Sequence, residues 1–230
     1  MNYFSEAFFA ACQLIIQFDP AIYQIVFTSL KISFIATFFA SLIGIFLGIN
    51  LAIHHFTGKQ FVQHLLNTAM AMPTVMIGLI FYGLFSRRGL LGDWQLLYTD
   101  TAVIIGEAFL ITPIIINLTF IAVHASDPRL LETLKMLGAT AFQQIMPIFS
   151  ECRLAILAAI ITGFGRAIGE VGAAMMLGGN IQGTTRTMTT AIALETSKGD
   201  FERGLALGLL LLLIAFGLNL GLQYLSPDTR

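Results

Sequence analysis

Residues 21–53 carry a single charged side chain, Lys31. Inside hydrocarbon a backbone must satisfy its own hydrogen bonds, so an apolar run of this length reads as a helix. It exceeds the ~20 residues that cross a bilayer, so it must tilt or project from one face. Lys31 lies near one end, where its ammonium can reach the headgroups. Four further apolar runs follow: 65–85 with Pro73 inside it, 101–123 with Glu107, Pro113 and Asn117, 154–178 with Arg166 and Glu170, and the charge-free 204–225. Charged residues are 11% of the 230 and AVILMFWYC residues 57%, against ~25% and ~45–50% in soluble domains. This composition excludes disorder, a disulfide scaffold, a basic nucleic-acid binder and most soluble enzymes. The expected fold is all-α: a polytopic membrane protein with five transmembrane helices.

Residues 1–20 precede the first run. The stretch 4–18 is too short to span, and the first 18 residues lack the Lys or Arg of a signal n-region. An interfacial helix is expected there. Cys12 and Cys152 form no pair motif and read as small apolar fillers. An odd number of spans puts the two termini on opposite sides. The positive-inside rule does not choose between the orientations: Lys59, Arg129, Lys135, Arg153 and Arg230 on one side balance Arg87, Arg88, Arg186, Lys198 and Arg203 on the other. Gly44 and Gly48 form a GxxxG pair, and Gly163, Gly165, Gly169 and Gly172 crowd the fourth run. Small residues let helices approach closely, within one chain or between two.

The connection 124–153 holds an amphipathic unit at 129–147. Leu130, Leu134, Leu137 and Ala141 fall at helical spacing on one face. Asp127-Pro128 supplies a cap and a first-turn proline. Gly138 interrupts the pattern as a turn between two short helices requires, and Pro147 is expected to close the unit. Alone, such a segment would suit a membrane surface.

Glu132, Gly138 six residues on and Pro147 nine further resemble the EAA loop of ABC-transporter permease subunits, Leu137-Gly138-Ala139 included. Thr133-Leu134 stands where that family has Ala-Ala. The resemblance covers about residues 21–225 and implies an ABC type-1 transmembrane domain of the type I importers, with 226–230 as a cytoplasmic tail. It implies that 129–147 is the cytoplasmic coupling helix, meeting an ATP-binding subunit through Leu130, Glu132, Leu134, Leu137, Gly138, Ala139 and Pro147. The N-terminus then lies outside and the C-terminus inside the plasma (inner) membrane. Residues 165–181 resemble permeases for sulfate, molybdate and tungstate, and 185–201 look most like the tungstate branch.

Arg166 and Glu170 are four residues apart and share a face if the run is one helix. They either neutralise each other or line a path, where a guanidinium suits an oxyanion and a weak contact permits transit. Glu107 is a third intramembrane charge, and Arg166 is one candidate partner. Asn180, Arg186 and the hydroxyls of Thr184, Thr185, Thr187, Thr189 and Thr190 read as an outer polar loop able to face an anion. His54, His55, His64 and His124 fall at the inner boundary without a ligand set, so no metal or other cofactor is expected. Trp94 and Tyr98 suit an aromatic belt, and the Met residues read as packing.

The chain has no GxxxxGK[ST], GxSxG or HExxH. It is therefore expected to be no enzyme, with ATP hydrolysis in a separate subunit. Five helices are few to enclose a path, so a homodimer is expected, with two ATP-binding subunits, an extracytoplasmic oxyanion-binding protein and lipid as partners, and no nucleic acid. The expected cargo is tungstate, with molybdate or sulfate as alternatives. An ATPase-independent channel or secondary transporter is the rival from another class.

Overall fold

The computed structural model describes residues 3–54 and 56–225, apart from the side chains of residues 3, 4, 128, 130, 131, 135, 141 and 225. The expected tail at 226–230 and His55 lie outside the described residues. Helix α1 (Tyr3–Ile16) is followed by α2 (Pro20–Ile53), which starts where Asp19 accepts from the amides of Ala21 and Ile22 at 2.9 and 3.2 Å. Helix α2 is unbroken for 34 residues. It lies along α5 (Asp100–His124), which Thr99 caps through Ala102. Gly44 and Gly48 make this approach possible: a Cβ on Gly44 would meet Ile115 Cγ2 at 2.8 Å, and one on Gly48 the carbonyl of Ile116 at 2.7 Å. The GxxxG pair thus serves packing within the chain. Lys31 reaches Asp100 at 2.7 Å and pins the two helices at one end.

Residues 65–85, expected as one span, form two helices. α3 (Lys59–Met70) and α4 (Thr74–Phe85) meet at 95°. Pro73 explains the break, since it lacks an N–H and holds φ −59° and ψ 129°. Helix α3 also starts before the apolar run, at Lys59, where Gly58 turns the chain with φ +101°. The run 154–178 is broken as well: α8 (Arg153–Ile168) stops at Gly169, and α9 (Gly172–Gly178) follows. The expected loop 179–203 contains α10 (Met188–Lys198). Gly199, with φ +83°, ends α10 before α11 (Phe201–Leu225).

The chain between α5 and α8 forms α6 (Pro128–Met136) and α7 (Ala141–Glu151). Among the described residues, three helices (α2, α5 and α11) are long and apolar enough to cross a membrane, and up to five spans result if the bent pairs α3–α4 and α7–α8 each count as one. The fourth then begins in α7 rather than at residue 154. Helices α4 and α9 pack together against the Asp100 half of α5, while Ile148, Cys152 and Ile156 join the ends of α2 and α5 at the other end. Helix α1 lies on α11, with Ala11 buried and the Tyr23 hydroxyl donating to Ile15 O at 3.1 Å.

Candidate coupling segment and buried polar node

Helix α6 ends in a left-handed glycine. Gly138 has φ +71°, and the Ala139 amide reaches back to Leu134 O at 3.0 Å. This six-to-one bond satisfies a terminal carbonyl of α6. Thr140 and Gln143 then form a capping box that starts α7. Gly138 is therefore the turn that its place in the pattern required. Pro147 does not close the unit. It stands inside α7, which gives up one backbone bond and runs on to Glu151.

The apolar face expected of Leu130, Leu134, Leu137 and Ala141 is divided. Leu134 packs on the core that contains Ile53, Val123 and Ile148. Leu137 is 77% exposed, because the chain has already left α6 at that position. Glu132 is exposed and Ala139 half-buried, with its carbonyl taking the Gln144 amide at 2.8 Å. The side chains of Leu130 and Ala141 lie outside the description. Met136, Phe142 and Met146 are exposed beside Leu137. Met136, Phe142 and Met146 were absent from the sequence-based set, although their apolar character was readable.

The second site lies at the break between α8 and α9. Arg166 Nη1 meets Glu170 Oε2 at 2.9 Å. The pair was expected, but not its setting. Glu170 lies beyond the end of α8, and its other oxygen takes the Ala173 amide at 2.9 Å, in the first turn of α9. Its backbone carbonyl accepts from the Thr189 hydroxyl of α10. One buried residue thus joins α8, α9 and α10, while the Arg166 side chain stays 39% exposed. Glu107 is buried in α5 beside Ser33 and Glu170. Within the chain Arg166 pairs with Glu170 rather than with Glu107, and Glu107 Oε2 has no hydrogen-bond partner among the described residues.

Asn180 and Arg186 are brought together, but to each other. Asn180 has φ +52°, and its carbonyl accepts from Arg186 Nε and Nη2 at 3.4 and 3.3 Å. The expected row of open threonine hydroxyls is not present. Thr185, Thr187, Thr189 and Thr190 are buried and bonded within the chain, and Thr184 alone of the five is exposed. Thr187 and Thr190 form the capping box of α10. Their spacing was the signal for a helix, hidden by the Thr-rich composition.

The glycines of the fourth run separate into two kinds. A Cβ on Gly163 or Gly172 would meet Ile115 or Val75 at 3.0 and 2.8 Å. Gly165 has nothing within 4 Å, and it shares an exposed strip with Thr162, Gly169 and the half-exposed Arg166.

Long apolar helices, two broken spans and a charged pair at a helix break are the architecture of a polytopic membrane protein. The chain belongs to the family described as "Binding-protein-dependent transport system inner membrane component", which its residues 40–230 match. It is a multi-pass permease subunit of an ABC importer that works with a binding protein. It is 42% identical over 99% of its length to the whole "Tungstate uptake system permease protein TupB" of Peptoclostridium acidaminophilum. It is 38% identical over 95% of its length to 92% of the protein of that name from Campylobacter jejuni. Among solved structures, the MetNI methionine ABC transporter in its inward-facing conformations shares the fold, with TM-score 0.69 and 18% identity over 90% of this chain and 99% of that one.

Proposed function

We propose that this chain is the permease subunit of a tungstate importer, working as a homodimer with two ATP-binding subunits on the cytoplasmic side. The α6–Gly138–α7 unit with its exposed Met136, Leu137, Phe142 and Met146 carries the reading, because it offers an ATP-binding subunit an apolar surface held by a defined turn. That surface faces the cytoplasm, as does the C-terminus, and the N-terminus lies outside. Residues 21–225 form the transmembrane domain, and α1 lies at the interface. Full-length identity to permeases named for tungstate uptake supports that cargo over molybdate or sulfate.

The strip of Thr162, Gly165, Arg166 and Gly169 supports a seam or path between two copies, since it is exposed and Gly165 has space that this chain leaves unfilled. Arg166 meets the ion transiently. Glu170 tempers its charge, so that the contact does not become a trap. Glu107, Asn180 and Arg186 set the walls and the outer loop around it. ATP binding closes the two ATP-binding subunits, and the coupling helices carry that motion to the path. The binding protein releases its ion into the outward cavity, and hydrolysis resets the inward state.

The test is ATP-driven uptake in proteoliposomes holding this chain, an ATP-binding subunit and a tungstate-binding protein. Tungstate accumulation that needs all three supports the reading. Uptake without ATP, or of molybdate or sulfate in preference, overturns it.

A further inference from the structure

Tyr98 is held in a conformation that a bulky residue rarely adopts. Its φ is +66°. Its amide donates to Leu177 O at 2.8 Å, tying the start of α5 to the end of α9. Its ring covers Gly179, itself at φ +67°, where a Cβ would meet Tyr98 Cδ1 at 2.7 Å. Two left-handed residues from separate connections therefore close on one another. An aromatic residue that only lay at a membrane interface would not need this arrangement. Such strain persists only where the surroundings impose it, and it concentrates at functional sites.

The arrangement aims a phenol. The Tyr98 phenol lies near that of Tyr82, in the last turn of α4, and this neighbour holds the Tyr98 phenol above its ordinary range. Tyr98 thus keeps its proton, and both side chains carry a hydroxyl. They border a cavity of about 630 Å³ whose other walls include Leu79, Met175, Met176 and Ile181. Among the described residues, no carboxylate and no cation lines it. Both phenols are part-exposed, so a molecule entering the cavity can reach them. The cavity lies at the Asp100 end of α5, while α6 follows its His124 end about 37 Å away.

We propose that Tyr82 and Tyr98 form a transient hydrogen-bonding contact for the oxyanion at the mouth opposite the coupling segment. The inference rests on the importer reading above, which places this mouth outside. Two neutral donors on apolar walls suit a tetrahedral anion that has begun to shed water. Neutral donors hold it less firmly than a cation would, as a passing ion requires.

The experiment uses the complete complex in proteoliposomes. Tyr82→Phe, Tyr98→Phe and the double variant are compared with wild type for tungstate uptake, and for ATP hydrolysis stimulated by the loaded binding protein. Phe at 98 keeps the ring on Gly179, so folding and assembly are preserved. Each lost hydroxyl should lower tungstate moved per ATP by about fivefold, with hydrolysis unchanged. Double-variant uptake within twofold of wild type overturns the inference, as does a fall in hydrolysis that matches the fall in uptake. A wild-type complex that moves no tungstate with ATP instead overturns the importer reading on which it rests.

Discussion

Gly138 offers a way to separate turn geometry from surface chemistry. Its φ is +71°, and a Cβ placed there meets nothing within 4 Å. Substitution therefore costs backbone strain without a clash. For an ordinary L residue that strain is roughly 1–2 kcal/mol, while Asn visits the left-handed region readily. Docking on an ATP-binding subunit needs the α6–α7 unit in its ordered form, so the strain is withdrawn from the docking energy. Gly138→Ala should weaken association with the ATP-binding subunit roughly 5–30-fold, and Gly138→Asn by little. Gly138→Asp keeps a tolerable backbone but sets a charge beside Leu137, and should weaken it through the surface instead. The assay is titration of detergent-solubilised permease with labelled ATP-binding subunit, alongside thermal unfolding of the permease alone. If Asn is as damaging as Ala, the turn is not what this position supplies.

Three further outcomes follow from the packing. Gly48→Ala sets a methyl 2.7 Å from the Ile116 carbonyl and should lose about 1–3 kcal/mol in unfolding, whereas Gly208→Ala, with nothing within 4 Å, should lose little. Phe142 is 79% exposed, so Phe142→Ser should abolish association with the ATP-binding subunit while leaving the permease's Tm nearly unchanged. Arg166→Gln strands the buried Glu170 carboxylate. A stability cycle with Glu170→Gln should give a coupling of about 0.5–3 kcal/mol, and a coupling near zero would mean the pair does not hold the α8–α9 break.

Hydropathy made the long helices legible and concealed the breaks. The runs 21–53, 101–123 and 204–225 appear as α2, α5 and α11 to within a few residues, because an unbroken apolar run in a membrane has little alternative to a helix. The break at Pro73 lies inside a run of unchanged apolarity, and the break at Gly169 falls between Arg166 and Glu170 in a run otherwise apolar, so both depended on local backbone chemistry. Helix α10 was missed because threonine lowers both hydropathy and helix propensity, while the hydroxyls that made the stretch look open are turned inward to cap and to cross-link. The Arg166–Glu170 pair was legible from spacing, but the same spacing arises across a helix end as well as along one face. Gly138 was legible because a left-handed turn leaves few residue choices. The exposure of Phe142 and Met146 depended on how α7 sits against α8, which no local pattern encodes.

The locked contact between α2 and α5 makes those two helices a single rod. They are joined by Lys31–Asp100 at one end, by glycine-to-backbone contact in the middle, and by Ile49, Ile53, Ile116 and Val123 at the other. Neither can slide along the other without forcing Gly48 past the Ile116 carbonyl. The contact therefore transmits rotation and blocks shear. Pivoting about its midpoint, a rod about 37 Å long needs a tilt of only about 5° to displace each tip by about 1.6 Å in opposite directions. Force applied beside α6 would reach the far mouth as leverage, with its sign reversed and with no change in the side-chain packing between.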